Sequence, residues 1–285
     1  MKSQFSSDAK LPLPNVTLIA MTGVLVRETL LAMAYSMGGI DFGAAVLVTD
    51  KPVKECPKGV RLQEDFLQPV SPSPSGAGVK TDSKEISYIC VKYCDPLDSI
   101  DRFNYESVYH LGHYVETDFC LLVHYDGFVV HPENFRQEFL DYDYIGSPWP
   151  LPPAGDHTTY RDIHGNLCRV GNSVSFRSKR LLDFPEKAGI PWTPEKGWFN
   201  EDGFICCRNR HLFEEAGMRF APFELALAFG REKPLPENKG IDPFVFHKWE
   251  GENAAFPDFR KKPNPALNQL RKLHGYLHNK LHQDK

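Results

Sequence analysis

Asp118-Phe119-Cys120-Leu121-Leu122-Val123-His124-Tyr125-Asp126-Gly127 is the stretch whose reading decides the fold. Phe119 to Val123 is an unbroken apolar run, short enough for a strand buried on both faces of a mostly parallel sheet. Where the run stops, His124 and Asp126 stand two apart, followed by Gly127, which permits a sharp turn. Ligands of open α/β sheets collect beyond the carboxyl ends of strands. A metal-capable pair at the tip of a buried strand is therefore the first place to look for chemistry.

Working outward, Val16 to Met21 and Ala44 to Asp50 read as two more buried strands. Between them, Arg27 to Met37 carries helical spacing and closes at Gly38-Gly39. Strand, helix and strand in this order predict a right-handed parallel crossover. Thr22-Gly23-Val24-Leu25 holds a single glycine, which argues against a dinucleotide-binding domain. Further strands are expected at Ile86–Tyr93, Tyr142–Trp149, Val170–Arg177 and Phe244–His247, with helices at Phe103–Tyr114, Lys179–Phe184 and Phe204–Ala216. The fold class is α/β, a Rossmann-like, mostly parallel central sheet flanked by helices. Residues 15–258 form one domain, with a flexible leader at 1–14. Residues 68–84, rich in Pro, Ser and Gly, read as a mobile loop or a lid.

The bulk composition fits a soluble globule: 285 residues, 41% hydrophobic and 25% charged. A net charge of −4 gives no global attraction to nucleic acid. No apolar run approaches the ~20 residues of a membrane span, and Met1 to Lys10 lacks a signal-peptide core. Seven scattered cysteines suggest a reducing cytoplasm. Residues 259–285 are basic, and Leu267, Leu270, Leu273, Leu277 and Leu281 fall at helical steps. That tail reads as an amphipathic helix docked on its own domain or on a second copy, or resting peripherally on the inner face of an anionic membrane.

Four polar clusters stand at expected strand ends or helix starts: Thr22/Arg27, His124/Asp126, Asn200/Glu201/Asp202 and His247. Mg²⁺ or Mn²⁺ takes carboxylate and imidazole ligands and keeps positions open for substrate phosphates. Asp126 with His247, and His124 beside them, offers such an incomplete shell. Asp-Gly also marks ordinary turns, and a terminal histidine is as often a hydrogen-bonded structural group. Glu201 and Asp202 open a helix, where carboxylates are stabilised and one can serve as general base. The plain alternative is a helix cap.

The order of these parts resembles a nucleotide-sugar glycosyltransferase of the GT-A fold. Thr117 to Val129 is similar to a bacterial and fungal family of uncharacterised glycosyltransferase-like domains that carry Gln-x-Asp-Gly-Phe here. The likeness continues through Phe139 to Trp149, Val170-Gly171-Asn172, Ser175 to Ser178, Asn200 to Asp202 and Phe220 to Ala226. This sequence departs from the pattern with His124 in place of Gln, Gly171-Asn172-Ser173-Val174 one residue short, and Lys248 after His247.

The resemblance implies transfer of a sugar from a nucleotide-diphosphate donor, uridine diphosphate or another, to a glycan or other hydroxyl acceptor. It implies Mn²⁺ or Mg²⁺ on Asp126 and His247, with His124 a third candidate. The nucleotide is expected near Thr22, Arg27 and Asp50, with Lys248 neutralising phosphate. Gly171, Asn172, Trp149 and Trp198 are expected around the sugar or acceptor, and Asp202 or Glu201 as base. Surface polysaccharide assembly is the setting it suggests. From another class, the same fold could persist as a non-catalytic sugar-binding module in which His124 marks a decayed site. A nucleotidyltransferase is a poorer match, because Thr22 to Arg27 lacks a Gly- and Lys/Arg-rich loop.

Overall fold

The structure is a computed structural model that describes residues 10–53, 56–57, 61–64, 88–193 and 200–260. The 68–84 loop, most of the 259–285 tail and Trp198 fall outside these residues. Seven strands form one sheet: β1 (Leu11–Thr22), β2 (Ile40–Thr49), β3 (Arg61–Glu64), β4 (Tyr88–Tyr93), β5 (Phe119–Leu122), β6 (Tyr144–Pro148) and β7 (Val170–Ser178). Their order is β3-β4-β2-β1-β5-β7-β6. Pairing is parallel from β3 through β5, while β7 runs antiparallel to both β5 and β6. The expected mostly parallel α/β sheet is thus observed.

Side chains alternate across the strands. Leu18 and Ala20 of β1, with Leu121 and Val123 of the β5 stretch, join one buried cluster; Ile19, Met21, Cys120 and Leu122 join another. Helix α1 (Val26–Gly39) covers the first face with Leu30, Met33 and Met37. Phenylalanines fill much of the rest: the rings of Phe139 and Phe229 lie 5.4 Å apart, and Phe176 stacks on Phe244 at 5.9 Å. Helices α2 (Ile100–Tyr109) and α3 (Lys179–Lys187) lie together beyond the other face.

From β1 the chain crosses through α1 to β2, and β4 lies beyond; it then returns to the far side of β1 as β5. The order therefore reverses between β1 and β5, and a crevice at such a switch point is where open sheets take ligands.

Several boundaries differ from the sequence reading. β1 begins at Leu11 rather than after residue 14, because Leu13 is buried against β2. α1 runs into β2 without a loop. Phe103–Tyr114 is not one helix: α2 stops at Tyr109 and a 3₁₀ turn spans Leu111–Tyr114. Phe204–Ala216 divides into a π-helical turn (Phe204–Arg208) and a short α-helix (Arg210–Glu215). At the other end, Phe259 stacks on Phe128 at 5.5 Å and Arg260 lies 4.2 Å over Trp249, so the packed domain extends past residue 258. Among the described residues no helix is long and apolar enough to cross a membrane.

Candidate functional site

Beyond Leu122 the backbone makes a tight turn: His124 N donates to Gly127 O at 2.7 Å, and Gly127 N returns the bond at 3.2 Å. Asp126 sits on its tip. A short parallel pair, Gly230–Arg231 with Val245–Phe246, carries the chain to Glu232 and His247 beside that turn. A Cβ on Gly127 would stand 2.9 Å from both His247 Cδ2 and Phe246 O. Gly127 is therefore needed less for its freedom to turn than for the close approach of the strand that delivers His247. Lys248 N then donates to Asp126 O at 2.7 Å, pinning the two segments.

As a result His247 Nε2 lies 3.7 Å from Asp126 Oδ1, and its Nδ1 lies 3.7 Å from Glu232 Oε1. His124 stacks on His247 with ring centres 5.7 Å apart. Burial pushes both imidazoles below their ordinary range, His247 far below, so both are neutral and keep a free lone pair. His124 Nε2 and His247 Nδ1 are buried without a hydrogen-bond partner.

Two cavities meet at His247 and Ser173. The first, about 400 Å³, lies over the switch point and is lined by Thr22 at the end of β1 and Gly23 and Val24 after it, Leu97 to Ile100 before and at the start of α2, and His124 to Asp126. The second, about 650 Å³, is lined by Trp149, residues 157–163, Asn172, Asn200, Asp202, Arg208, Glu232 and Lys248. Glu232 joins its wall: Asn172 Nδ2 donates to Oε2 at 2.7 Å, and Lys248 Nζ pairs with Oε1. Asn253, fully buried, donates to the carbonyls of Arg231 at 2.9 Å and Lys248 at 3.1 Å, tying together the segments that leave the two short strands.

Glu201 and Asp202 have separate fates. Glu201 is 2% exposed and accepts from Arg177 Nη2 at 3.1 Å, a pair sealed from solvent. Arg177 also donates to Ser175 Oγ at 2.9 Å and to the Ser173 carbonyl at 3.3 Å, so β7 braces the acidic turn. Asp202 instead lines the large cavity. Burial, and next the adjoining Glu201 carboxylate, pushes its pKa up to about 7. A carboxylate tuned there is suited to taking a proton at neutral pH.

Thr22 lines the smaller cavity, its hydroxyl accepting from Val24 N at 3.1 Å. Asp50 stands beside it, accepting from Leu97 N at 3.1 Å and from Lys51 at 2.6 Å, with Oδ1 buried and unpartnered. Arg27 is not brought in: its side chain is exposed and lies 3.5 Å from Glu28. Trp149 reaches the large cavity, stacked on Tyr160 at 4.7 Å with its ring packed over Gly171. Gly171 is thus covered by indole rather than lining the space. Asn172 does line it, in a left-handed backbone conformation (φ 85°) stabilised by Val174 N donating to its own Oδ1 at 3.0 Å.

Glu232, Arg177 and Asn253 escaped the sequence reading. Gly230-Arg231-Glu232-Lys233, charged residues after an apolar run, was the available signal for the first of these. Nothing local marks the other two.

Among the described residues no group of three or more His, Cys, Asp and Glu side chains is arranged to hold a metal ion. Asp126 and His247 nevertheless fit a smaller role. Their 3.7 Å separation is too long for a hydrogen bond; adjacent ligands of an octahedral ion with bonds of about 2.1 Å stand about 3 Å apart, so both would reach one ion after the side chains close by under about 1 Å. Mg²⁺ takes few protein ligands and fills its shell with water and substrate phosphates.

A family model described as "Protein of unknown function (DUF5672)" matches residues 102–247, just over half of the chain. The match opens in α2 and closes on His247, enclosing the turn at Asp126, the acidic pair and Glu232. No curated protein matches the chain.

Proposed function

The chain belongs to the DUF5672 family, and we propose that it is a glycosyltransferase moving a sugar from a nucleoside diphosphate donor to a hydroxyl acceptor. The observation that carries this reading is the pair of cavities joined at His247 and Ser173. One lies over the sheet's switch point, where nucleotides bind in open α/β folds. The other holds a carboxylate with pKa about 7. The seam between them carries Asp126 and His247.

In this account the nucleoside occupies the smaller cavity, its phosphates directed toward Asp126, His247 and Lys248. Mg²⁺ or Mn²⁺ held by Asp126 and His247 would supply charge stabilisation to the leaving diphosphate. His124, stacked on His247 and lining the smaller cavity, sets a second neutral imidazole beside the pair. Asp202 accepts the proton of the acceptor hydroxyl. The hydroxyl oxygen then attacks the anomeric carbon, and the bond from that carbon to the phosphate oxygen breaks, releasing the nucleoside diphosphate. Direct displacement of this kind inverts the anomeric centre. Glu201, held by Arg177, keeps Asp202 in position and raises its basicity. The proposed compartment is the cytoplasm, in keeping with seven scattered cysteines.

Calorimetry with nucleoside diphosphates, with and without Mn²⁺, tests the reading. Ion-dependent binding that disappears in Asp126→Ala is expected. Equal metal dependence in that variant would remove Asp126 from the role. Binding of donors with neither transfer nor hydrolysis would favour the non-catalytic sugar-binding module instead.

A further inference from the structure

The larger cavity contains more charge than the transfer reaction uses, and most of it is neutralised internally. Glu232 is paired with Lys248 and held by Asn172. Lys233 is turned to Glu250 at 2.7 Å. Asp162 is occupied by its own loop, accepting from His164 N at 2.9 Å and from Asn166 N at 2.8 Å. Two guanidiniums remain. Arg161 donates through Nη1 to Gly165 O at 2.8 Å, but its Nε is buried and unpartnered. The Arg208 side chain has no hydrogen-bond or ion-pair partner among the described residues, and the π-helical turn from Phe204 to Arg208 carries it to the cavity wall. π-turns recur where a functional side chain must be re-aimed.

The buried, unpartnered Nε of Arg161 is costly unless an acceptor completes its hydrogen bonds, and Arg208 lines the same cavity with its guanidinium unpaired. Planar guanidinium forks match carboxylate and phosphate oxygens. We propose that Arg161 and Arg208 form a subsite for an oxyanion group, carboxylate or phosphate, on the molecule that enters the larger cavity. The inference rests on the transferase reading only in calling that molecule the acceptor, which would then be an acidic or phosphorylated glycan rather than a neutral one.

The test uses the full chain without nucleotide and three probes: glucose, glucuronate and glucose 6-phosphate. At least one anionic probe should bind about tenfold or more tightly than glucose, the range of a charge-assisted hydrogen bond. The better of the two identifies carboxylate or phosphate as the recognised group. Arg208→Gln should abolish the preference, and Arg208→Lys should restore part of it, with melting curves showing both variants folded. Uridine diphosphate affinity should be unchanged in Arg208→Gln. Equal binding of all three probes, binding of none, or a preference that survives Arg208→Gln would overturn the proposal. So would a parallel loss of uridine diphosphate affinity, which would assign Arg208 to the donor phosphates. Anion preference without any nucleotide binding would keep this subsite and remove the transferase reading.

Discussion

His247 Nε2 stands 3.7 Å from Asp126 Oδ1 although the two residues are 121 positions apart in the chain. The backbone fixes this relationship, through Lys248 N on Asp126 O and through the absence of a side chain on Gly127. If the pair acts jointly on one ion, its spacing matters as much as its chemistry.

Gly127→Ala tests that spacing while keeping both side chains. The new Cβ must push away His247 or Val174, and overpacking of this kind costs about 1–3 kcal/mol. Metal-dependent nucleotide affinity should fall as it does in Asp126→Ala, read by calorimetry on protein shown to be folded. Retained metal dependence would mean that the two residues do not share an ion.

Asp202 predicts a pH profile. As a base it must be ionised, so kcat/KM should rise with pH and level off above about 7. Asp202→Asn should remove the rise together with most of the activity. Its folded pKa lies above the ordinary carboxylate value, so folding favours its protonated form. The stability this confers is present below about pH 4 and is lost as pH rises through about 7. Asp202→Asn should therefore melt higher than the wild type at pH 8 and equally at pH 4, by a few degrees per kcal/mol regained.

The Arg177–Glu201 pair is buried on both sides. Glu201→Ala strands a guanidinium in the interior, and breaking a buried pair costs about 3–5 kcal/mol. Glu201→Gln keeps the side-chain volume and one acceptor, so it should cost less. It removes the carboxylate that helps raise Asp202, so the pH–rate midpoint should move down. An unmoved midpoint would restrict Glu201 to bracing the fold.

Asn172 combines a left-handed backbone with hydrogen bonds to Val174 and Glu232. Asn172→Ala should lose about 1–2 kcal/mol to the backbone conformation alone, plus the contact to Glu232. Asn172→Gly should recover the backbone part. If denaturant melts show Gly and Ala variants equally destabilised, the strain argument fails.

The strands were readable because burial on both faces leaves apolar runs, as in Phe119 to Val123, that few other environments require. Asp126, Asp202 and His247 were readable because each stands where such a run or a helix begins or ends. Arg177 was hidden: it sits in an alternating strand and looks like a surface residue until Glu201 arrives from 24 positions away. Asn253 was hidden for the same reason, since its carbonyl partners are gathered from two separate segments, at Arg231 and Lys248. Arg27 misled because a cation after β1 suits a phosphate in sequence, whereas its place on α1 turns it to solvent beside Glu28. Local pattern marks where an element stops; which distant side chain meets it there depends on the packing.

The most direct measurement is release of nucleoside diphosphate from a panel of nucleotide sugars, with Mn²⁺ or Mg²⁺ and mixed glycan acceptors. Ion-dependent release from at least one donor is expected of the wild type, abolished in Asp126→Ala and in Asp202→Asn. Folded wild-type protein that releases none from any donor, or variants as active as the wild type, would contradict it.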